Sequence, residues 1–456
     1  MRYKIWFLLL WAAIGISQEM EVLLKTTSSL TPIYISRIST DPNQFDWRYF
    51  DELRSILEFD LKRGGFATVL DIREESEQTF QWPDTRREFN LTHWKQQKVP
   101  YVLTLCIQKN ALQLTAFNTD QETSKRYPEC LITGKLEEDR KQLHKLADQL
   151  HKDLFGEEGI ASLRIIYSQR IKNTESTWLS DIWISDADGA NSKQATFENA
   201  YCITPAFYPS TAGLNDPPFF FVSYKQGQSK IYRTSLKNGE PESVIELRGN
   251  QLLPAINLKG SQMAFIADAA GRPDLFVQTF DPNGRPLGKS RQLYSCPRAT
   301  QASPTFSPNG KKIAFVSDKD GPPRIYLIDV TTSKDTKRIH PFLLTRKNRE
   351  NTSPAWSPDG KKLAYSAKVD GVRQIWIYDF ETEEEIPLTS GPGNKENPAW
   401  APDSLHLVFN TDDEEEGQLF LINLNQREPT QITKGPGQKR FANWETRSQF
   451  SSRNRE

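Results

Sequence analysis

Short apolar runs, each ended by a polar turn, recur along the C-terminal two-thirds of the chain at a spacing of roughly 44 to 50 residues. Ser303-Pro304-Thr305-Phe306, then Pro308-Asn309-Gly310-Lys311 and Ile313-Ala314-Phe315, returns as Ser353-Pro354-Ala355-Trp356, Pro358-Asp359-Gly360-Lys361 and Leu363-Ala364-Tyr365. Further copies start at Pro205, Pro254 and Pro398. Within the copy at Pro354, proline presets φ for a turn and glycine supplies its left-handed residue, so the chain reverses between two strands. Asp370-Gly371 is a second reversal. It leads into Gln374–Asp379, rich in β-branched and aromatic residues, and Ile386-Pro387-Leu388-Thr389 follows as an edge strand where proline is tolerated. The pattern predicts one four-stranded blade per copy and hence a β-propeller.

Five complete units leave fragments at both ends. Phe441-Ala442-Asn443-Trp444 is a first strand in register with the others, while Leu163–Ser168, Asp181–Ser185 and Lys193–Thr196 read as second, third and fourth strands without a first. Joined, they make a sixth blade and close the ring, which removes exposed sheet edges. The expected propeller spans residues 161–446, followed by a tail, 447–456, whose composition predicts no order.

Upstream the period disappears and a mixed α/β pattern takes its place over residues 18–160. Pro32–Ile38, Tyr101–Ile107 and Leu112–Phe117 read as strands. Asp46–Lys62 carries Phe50, Leu53, Ile56, Leu57 and Leu61 on one helical face and stops at Gly64-Gly65; a second helix runs from about Leu136 to Leu154. The fold class expected is therefore mainly β, a C-terminal six-bladed propeller with a smaller N-terminal α/β domain. Residues 1–17 have the form of a secretory signal peptide: Arg2 and Lys4, an apolar run Ile5–Ile16 shorter than a membrane span, and small residues before Gln18. The segment 18–31 is polar and reads either as a frayed terminus or as an extended arm that adds to a partner or folds back on its own domain.

Composition narrows the chemistry. Lys plus Arg and Asp plus Glu are 58 each, so no bulk charge points to nucleic acid or a membrane surface. The acidic runs Asp412–Glu416 and Glu383–Glu385 read as loop solvation, and Asp186-Ala187-Asp188-Gly189 as a hairpin turn, since the downstream glutamate of a calcium loop is missing. His144 and His151 share a helix face without a third ligand and read as surface or packing residues. Among the cysteines, export permits a Cys106–Cys130 pair, but spacing does not fix it. Gly-x-Ser-x-Gly and His-Glu-x-x-His do not occur, which leaves a propeller hydrolase without its usual motifs. A glycan- or peptidoglycan-binding propeller is the other alternative; Phe306, Trp356, Trp376 and Trp400 fall at strand positions, where they pack blades. No metal or cofactor is expected.

Beyond the repeat, three stretches resemble the TolB family of periplasmic propeller proteins of the Tol–Pal system: Glu21–Leu24 with Pro32–Ile35; Ile56–Phe66; and His144–Asp148, Leu154-Phe155-Gly156, Gly159 and Leu163–Tyr167. The resemblance implies a monomeric, non-enzymatic periplasmic adaptor. It would dock a Pal-like lipoprotein at the propeller mouth and a TolA-like inner-membrane-anchored protein through the arm, serving cell division and envelope integrity. By the family pattern, residues just before the first-strand proline meet Pal, here Thr352, Ser353, Glu396 and Asn397; Thr204, Gln251 and Arg440 join them from their loop positions. Arm contacts would come from Glu21, Val22, Leu23 and Leu24. The charged, aromatic region Glu74–Gln97 has no functional account in the sequence.

Overall fold

The computed structural model describes residues 30–446 except 41–44, 81–88, 173–177, 210–217, 238, 283, 331–339 and 413–415. The expected signal peptide, residues 18–29 of the arm with Glu21–Leu24, and the tail lie outside the described residues; Thr31, the last residue of the expected arm, already begins the first strand.

The N-terminal region is one sheet in the order β2-β1-β3-β4-β5: β2 (Ala67–Val69), β1 (Thr31–Thr40), β3 (Tyr101–Gln108), β4 (Ala111–Asn118) and β5 (Thr123–Arg126), with β6 (Cys130–Leu131) beside β4. β1 lies parallel to β2 and β3, whereas β3, β4 and β5 form an antiparallel meander. Alternation along the strands separates two faces. Ile33, Ile35, Leu103 and Leu105 pack under α1 (Trp47–Arg63) and α4 (Leu136–Phe155), the two helices expected from periodicity. Tyr34 and Val102 face the other way and meet Phe80, Trp94 and Val99. The region Glu74–Gln97 thus supplies a second, smaller core through Phe80 and through Trp94 of α3 (Leu91–Gln96), while Glu77 of α2 (Glu74–Glu77) accepts a hydrogen bond from the Tyr34 hydroxyl (2.6 Å). Asp46 caps α1 by accepting from Arg48 N. Cys106 pairs across from Gln113 and Cys130 across from Leu112, so the two thiols fall on opposite faces and form no disulfide.

Six four-stranded antiparallel sheets follow. Blades 1 to 5 begin with strands Cys202–Phe207, Gln251–Ile256, Gln301–Phe306, Glu350–Trp356 and Asn394–Trp400. Blade 6 joins the last strand, Gln438–Trp444, to Arg164–Lys172, Trp178–Asp186 and Lys193–Gln194, as the end fragments foretold. First strands of neighbouring blades touch around the whole ring, including the last against the first. Between adjacent sheets lie apolar cores; Ile266 and Leu275 of blade 2 meet Phe306 and Phe315 of blade 3. Such burial is the main source of ring stability.

Candidate partner-docking site at the propeller mouth

Every first strand carries the same defect. Register shifts fall between Ile203 and Ala206, Leu252 and Ala255, Ala302 and Thr305, Thr352 and Ala355, Glu396 and Ala399, and Arg440 and Asn443. Inside each gap one non-glycine residue has a left-handed backbone: Thr204 (φ 49), Leu253 (φ 54), Ser303 (φ 44), Ser353 (φ 50), Asn397 (φ 51) and Phe441 (φ 55). In five blades proline follows, and it cannot donate to the ladder, so pairing with the second strand breaks there. Left-handed conformations cost energy for such residues, and their recurrence marks a designed feature of the channel wall.

The bulge sorts the residues before the proline by direction. Three positions upstream, Gln251, Gln301, Asn351, Lys395 and Lys439 are buried. Their side chains donate to the carbonyls of the loop that delivers the strand: Gln251 to Ile245 O (3.0 Å) and Leu247 O (2.8 Å), Lys395 to Pro392 O (3.0 Å) and Lys439 to Gly435 O (2.6 Å). Gln251, expected at the mouth, is instead a fully buried loop anchor, and Thr204 is buried as well. Two positions upstream lies the half-exposed ring Ile203, Leu252, Ala302, Thr352, Glu396 and Arg440. Three consecutive members are apolar and three are polar, so the mouth has an apolar arc and a charged arc.

Arg373 and Asp412, which the sequence reading did not single out, knit the charged arc together. Arg373 donates to Thr352 Oγ1 (3.2 Å) and pairs with Glu396 through Nε (2.9 Å). The Arg440 guanidinium lies against the Asp412 carboxylate. Asp412 belongs to a run read as loop solvation; its ion pair makes it part of the mouth. Burial first, then Asp412, pushes the Glu396 carboxyl above its ordinary range, against the pull of Arg373 and Arg440. One step inward, Ser353 Oγ donates to Asn397 Oδ1 (2.9 Å), which ties blade 4 to blade 5, and Asn397 donates to Asn410 (3.0 Å). Thr352, Ser353, Glu396, Asn397 and Arg440 are therefore brought together, in the channel wall of three successive blades.

Below the left-handed ring the channel widens into a cavity of about 880 Å³ that reaches the other mouth, beside Gly159 and Ile160. The tryptophans in its wall are committed to packing: Trp400 Nε1 donates to Ala355 O (3.0 Å) and Trp444 Nε1 to Ala399 O (3.2 Å), each stapling one blade to the preceding one. The N-terminal region docks at this strand-end side. His406 Nε2 meets Arg63 O (2.6 Å), Asn425 Nδ2 donates to Gly65 O (2.9 Å) and Gln426 Nε2 to Ala67 O (3.3 Å). A side chain at Gly65, where φ is +85°, would come within 2.9 Å of Leu405. Gly65, one residue beyond the Gly64 cap of α1, therefore admits the propeller. His144 and His151 are buried at this junction, His151 between Glu157 O (2.9 Å) and Gly64 O (3.1 Å). Asp186–Gly189 is the hairpin turn expected, with Gly189 at φ 84. Among the described residues no helix is long and apolar enough to cross a membrane.

Residues 151–445 match the PD40 family, described as the TolB beta propeller domain. Protein TolB homolog of Protochlamydia amoebophila is 44% identical over 285 residues, covering 62% of this chain and 61% of that protein. Protein TolB homolog of Chlamydia felis is 34% identical over 288 residues, with the same coverage of 62% and 61%. The chain thus aligns with about three fifths of the length of these relatives. The crystal structure of TolB from Acinetobacter baumannii has the same fold over 92% of this chain and 98% of its own, with a TM-score of 0.72 at 22% identity.

Proposed function

This chain belongs to the TolB β-propeller family, and from that premise we propose that it is a non-enzymatic periplasmic adaptor of the Tol–Pal system. In this reading a Pal-like lipoprotein docks at the strand-start mouth on Thr352, Ser353, Glu396, Asn397 and Arg440. A TolA-like protein is taken by the arm through Glu21, Val22, Leu23 and Leu24. Coupling the two partners would serve outer-membrane constriction and envelope integrity.

The observation that supports the mouth is its charged arc. Thr352, Arg373, Glu396, Asp412 and Arg440 hold one another in place while half-exposed, so they present fixed polar groups to a partner at little further ordering cost. Thr204 and Gln251 are left out of the contact set because both are buried. Calorimetric titration of residues 18–456 with the soluble domain of a Pal-like lipoprotein tests the reading. Saturable binding that is lost in Thr352→Arg and Glu396→Arg, yet kept when residues 18–31 are deleted, supports it. Absence of binding by the folded wild type removes the Pal assignment.

A further inference from the structure

His144 lies on α4 with its side chain only 2% exposed, at the seam between the N-terminal sheet and blade 6. Its Nδ1 is 2.7 Å from Asp60 Oδ2 on α1, a contact that needs a proton on Nδ1 whenever Asp60 is ionised. Nε2 then points across the seam, toward Asp188 Oδ2 at 3.7 Å and Asp186 Oδ2 at 4.0 Å, and has no hydrogen-bond partner. A neutral ring would aim a lone pair at two propeller carboxylates. An imidazolium instead places positive charge between Asp60 on one side and Asp186 and Asp188 on the other. Other charged groups around the pocket come from α4 itself: Arg140, against Asp188, and Asp148, which acts on Asp60 and is held by Ala161 N at 2.8 Å. Four carboxylates against one guanidinium leave the pocket negative, which favours a further positive charge. Because Arg140 already occupies Asp188, a proton suits the geometry better than a metal ion.

We propose that His144 is a proton-operated clamp between the N-terminal region and the propeller: the imidazolium ties α4 to the Asp186–Gly189 hairpin, and loss of the proton loosens that seam. The direction of the shifts agrees with the geometry. Burial works against the charge on His144, but Asp60, then Asp188 and Asp186, hold the ring above its ordinary value. Burial likewise lifts Asp60 to about 6. Above about pH 6 Asp60 is ionised and paired with the ring, so the His144 proton alone sets the pH dependence there. The stabilisation is therefore complete below the ordinary histidine range of about 6.5 and is lost as pH rises through the higher docked value. Nothing in this depends on which partner the mouth receives.

The test is an NMR titration of the histidine ring protons of the full chain, with thermal unfolding followed over the same pH range. His144→Gln assigns the resonance. The clamp requires a midpoint above about 6.5 that falls by at least half a pH unit in Asp188→Asn, and a wild-type melting temperature that drops between pH 6 and 8.5 with at least half of that drop gone in His144→Gln. A His144 midpoint at or below the free value, or a pH dependence of melting identical in wild type and His144→Gln, overturns the proposal. Zinc that raises the melting temperature of wild type at pH 8 but not of His144→Gln overturns it too, since a cation would then fill the pocket. If His144→Gln does not fold, the Asp188→Asn titration decides alone.

Discussion

At the strand-end mouth, His406, Asn425 and Gln426 aim at backbone carbonyls of residues 63–67, whereas at the strand-start mouth Arg373, Glu396, Asp412 and Arg440 hold one another. Both mouths are made by the same repeat. The first is a finished interface: His406 is buried, Asn425 and Gln426 are partly buried, each meets a main-chain acceptor, and the partner is part of the same chain. The second keeps its charges half-exposed and mutually paired. Main-chain carbonyls cannot be taken away by a competitor, but ion pairs at a rim can be exchanged for those of another protein. The difference teaches how one scaffold makes a permanent dock at one mouth and, on the proposed function, a reversible one at the other.

The comparison breaks most easily at His406. Its imidazole is 1% exposed and joins Asp403 Oδ2 (2.5 Å) to Arg63 O (2.6 Å). His406→Ala removes the charged partner of the mostly buried Asp403 carboxylate, leaving it only the backbone N–H groups of residues 405 and 406, and the expected loss is about 3–5 kcal/mol in denaturant unfolding. A loss below about 1 kcal/mol would mean that the strand-end side is no more committed than a surface pair. Next comes Gly189, whose added Cβ would sit 1.6 Å from Ile432 O at φ +84°. Gly189→Ala is expected to cost about 1–3 kcal/mol from the backbone conformation alone. The hairpin must also move, so the variant should lower the melting temperature more than any single substitution in the charged arc.

Much of this was legible in the chain. Turn chemistry and strand composition repeat together, so blade number and the closing of blade 6 could be read directly. The direction of side chains within the first strand was harder. Membership of the loop entering the first strand placed Gln251 beside Thr352, yet the strand alternates and the bulge resets it, leaving Gln251 inside and Thr352 in the channel. A signal was present: the third position before the proline, or before Ala442 in blade 6, is an amide or lysine in five blades, Gln251, Gln301, Asn351, Lys395 and Lys439. That monotony suits a recurrent structural tie, while the varied second position suits a contact surface. Arg373 and Asp412 were missed because they lie on other strands and reach the mouth only through folding. His406 carried no motif at all; its role comes from a carbonyl 343 residues away in sequence.

At the strand-start mouth the expected effects on stability are small and those on binding large. Arg373→Ala should change unfolding free energy by less than about 1 kcal/mol, because the pairs it breaks are partly solvated. It also frees Thr352 and Glu396 from their fixed positions, so titration with the Pal-like domain should show at least a tenfold weaker affinity. Equal losses in stability and binding would erase the distinction between the two mouths.

The smallest stability effect is the most telling. Burial and Asp412 raise the Glu396 carboxyl in the folded state, so folding favours its protonated form. That contribution is present below the ordinary carboxylate range and is lost as pH rises through the folded value; at neutral pH the ionised side chain is a net cost to the fold. Glu396→Gln should therefore be slightly more stable than wild type at pH 7, by less than about 1 kcal/mol, with the difference vanishing toward pH 4. A partner that brings a cation to the arc would relieve the same cost, so the variant should bind more weakly even as it folds more firmly. Opposite signs for folding and binding are what a group kept for its partner requires. If Glu396→Gln instead destabilises the protein at pH 7, the Arg373 pair outweighs burial and the charged arc is part of the scaffold.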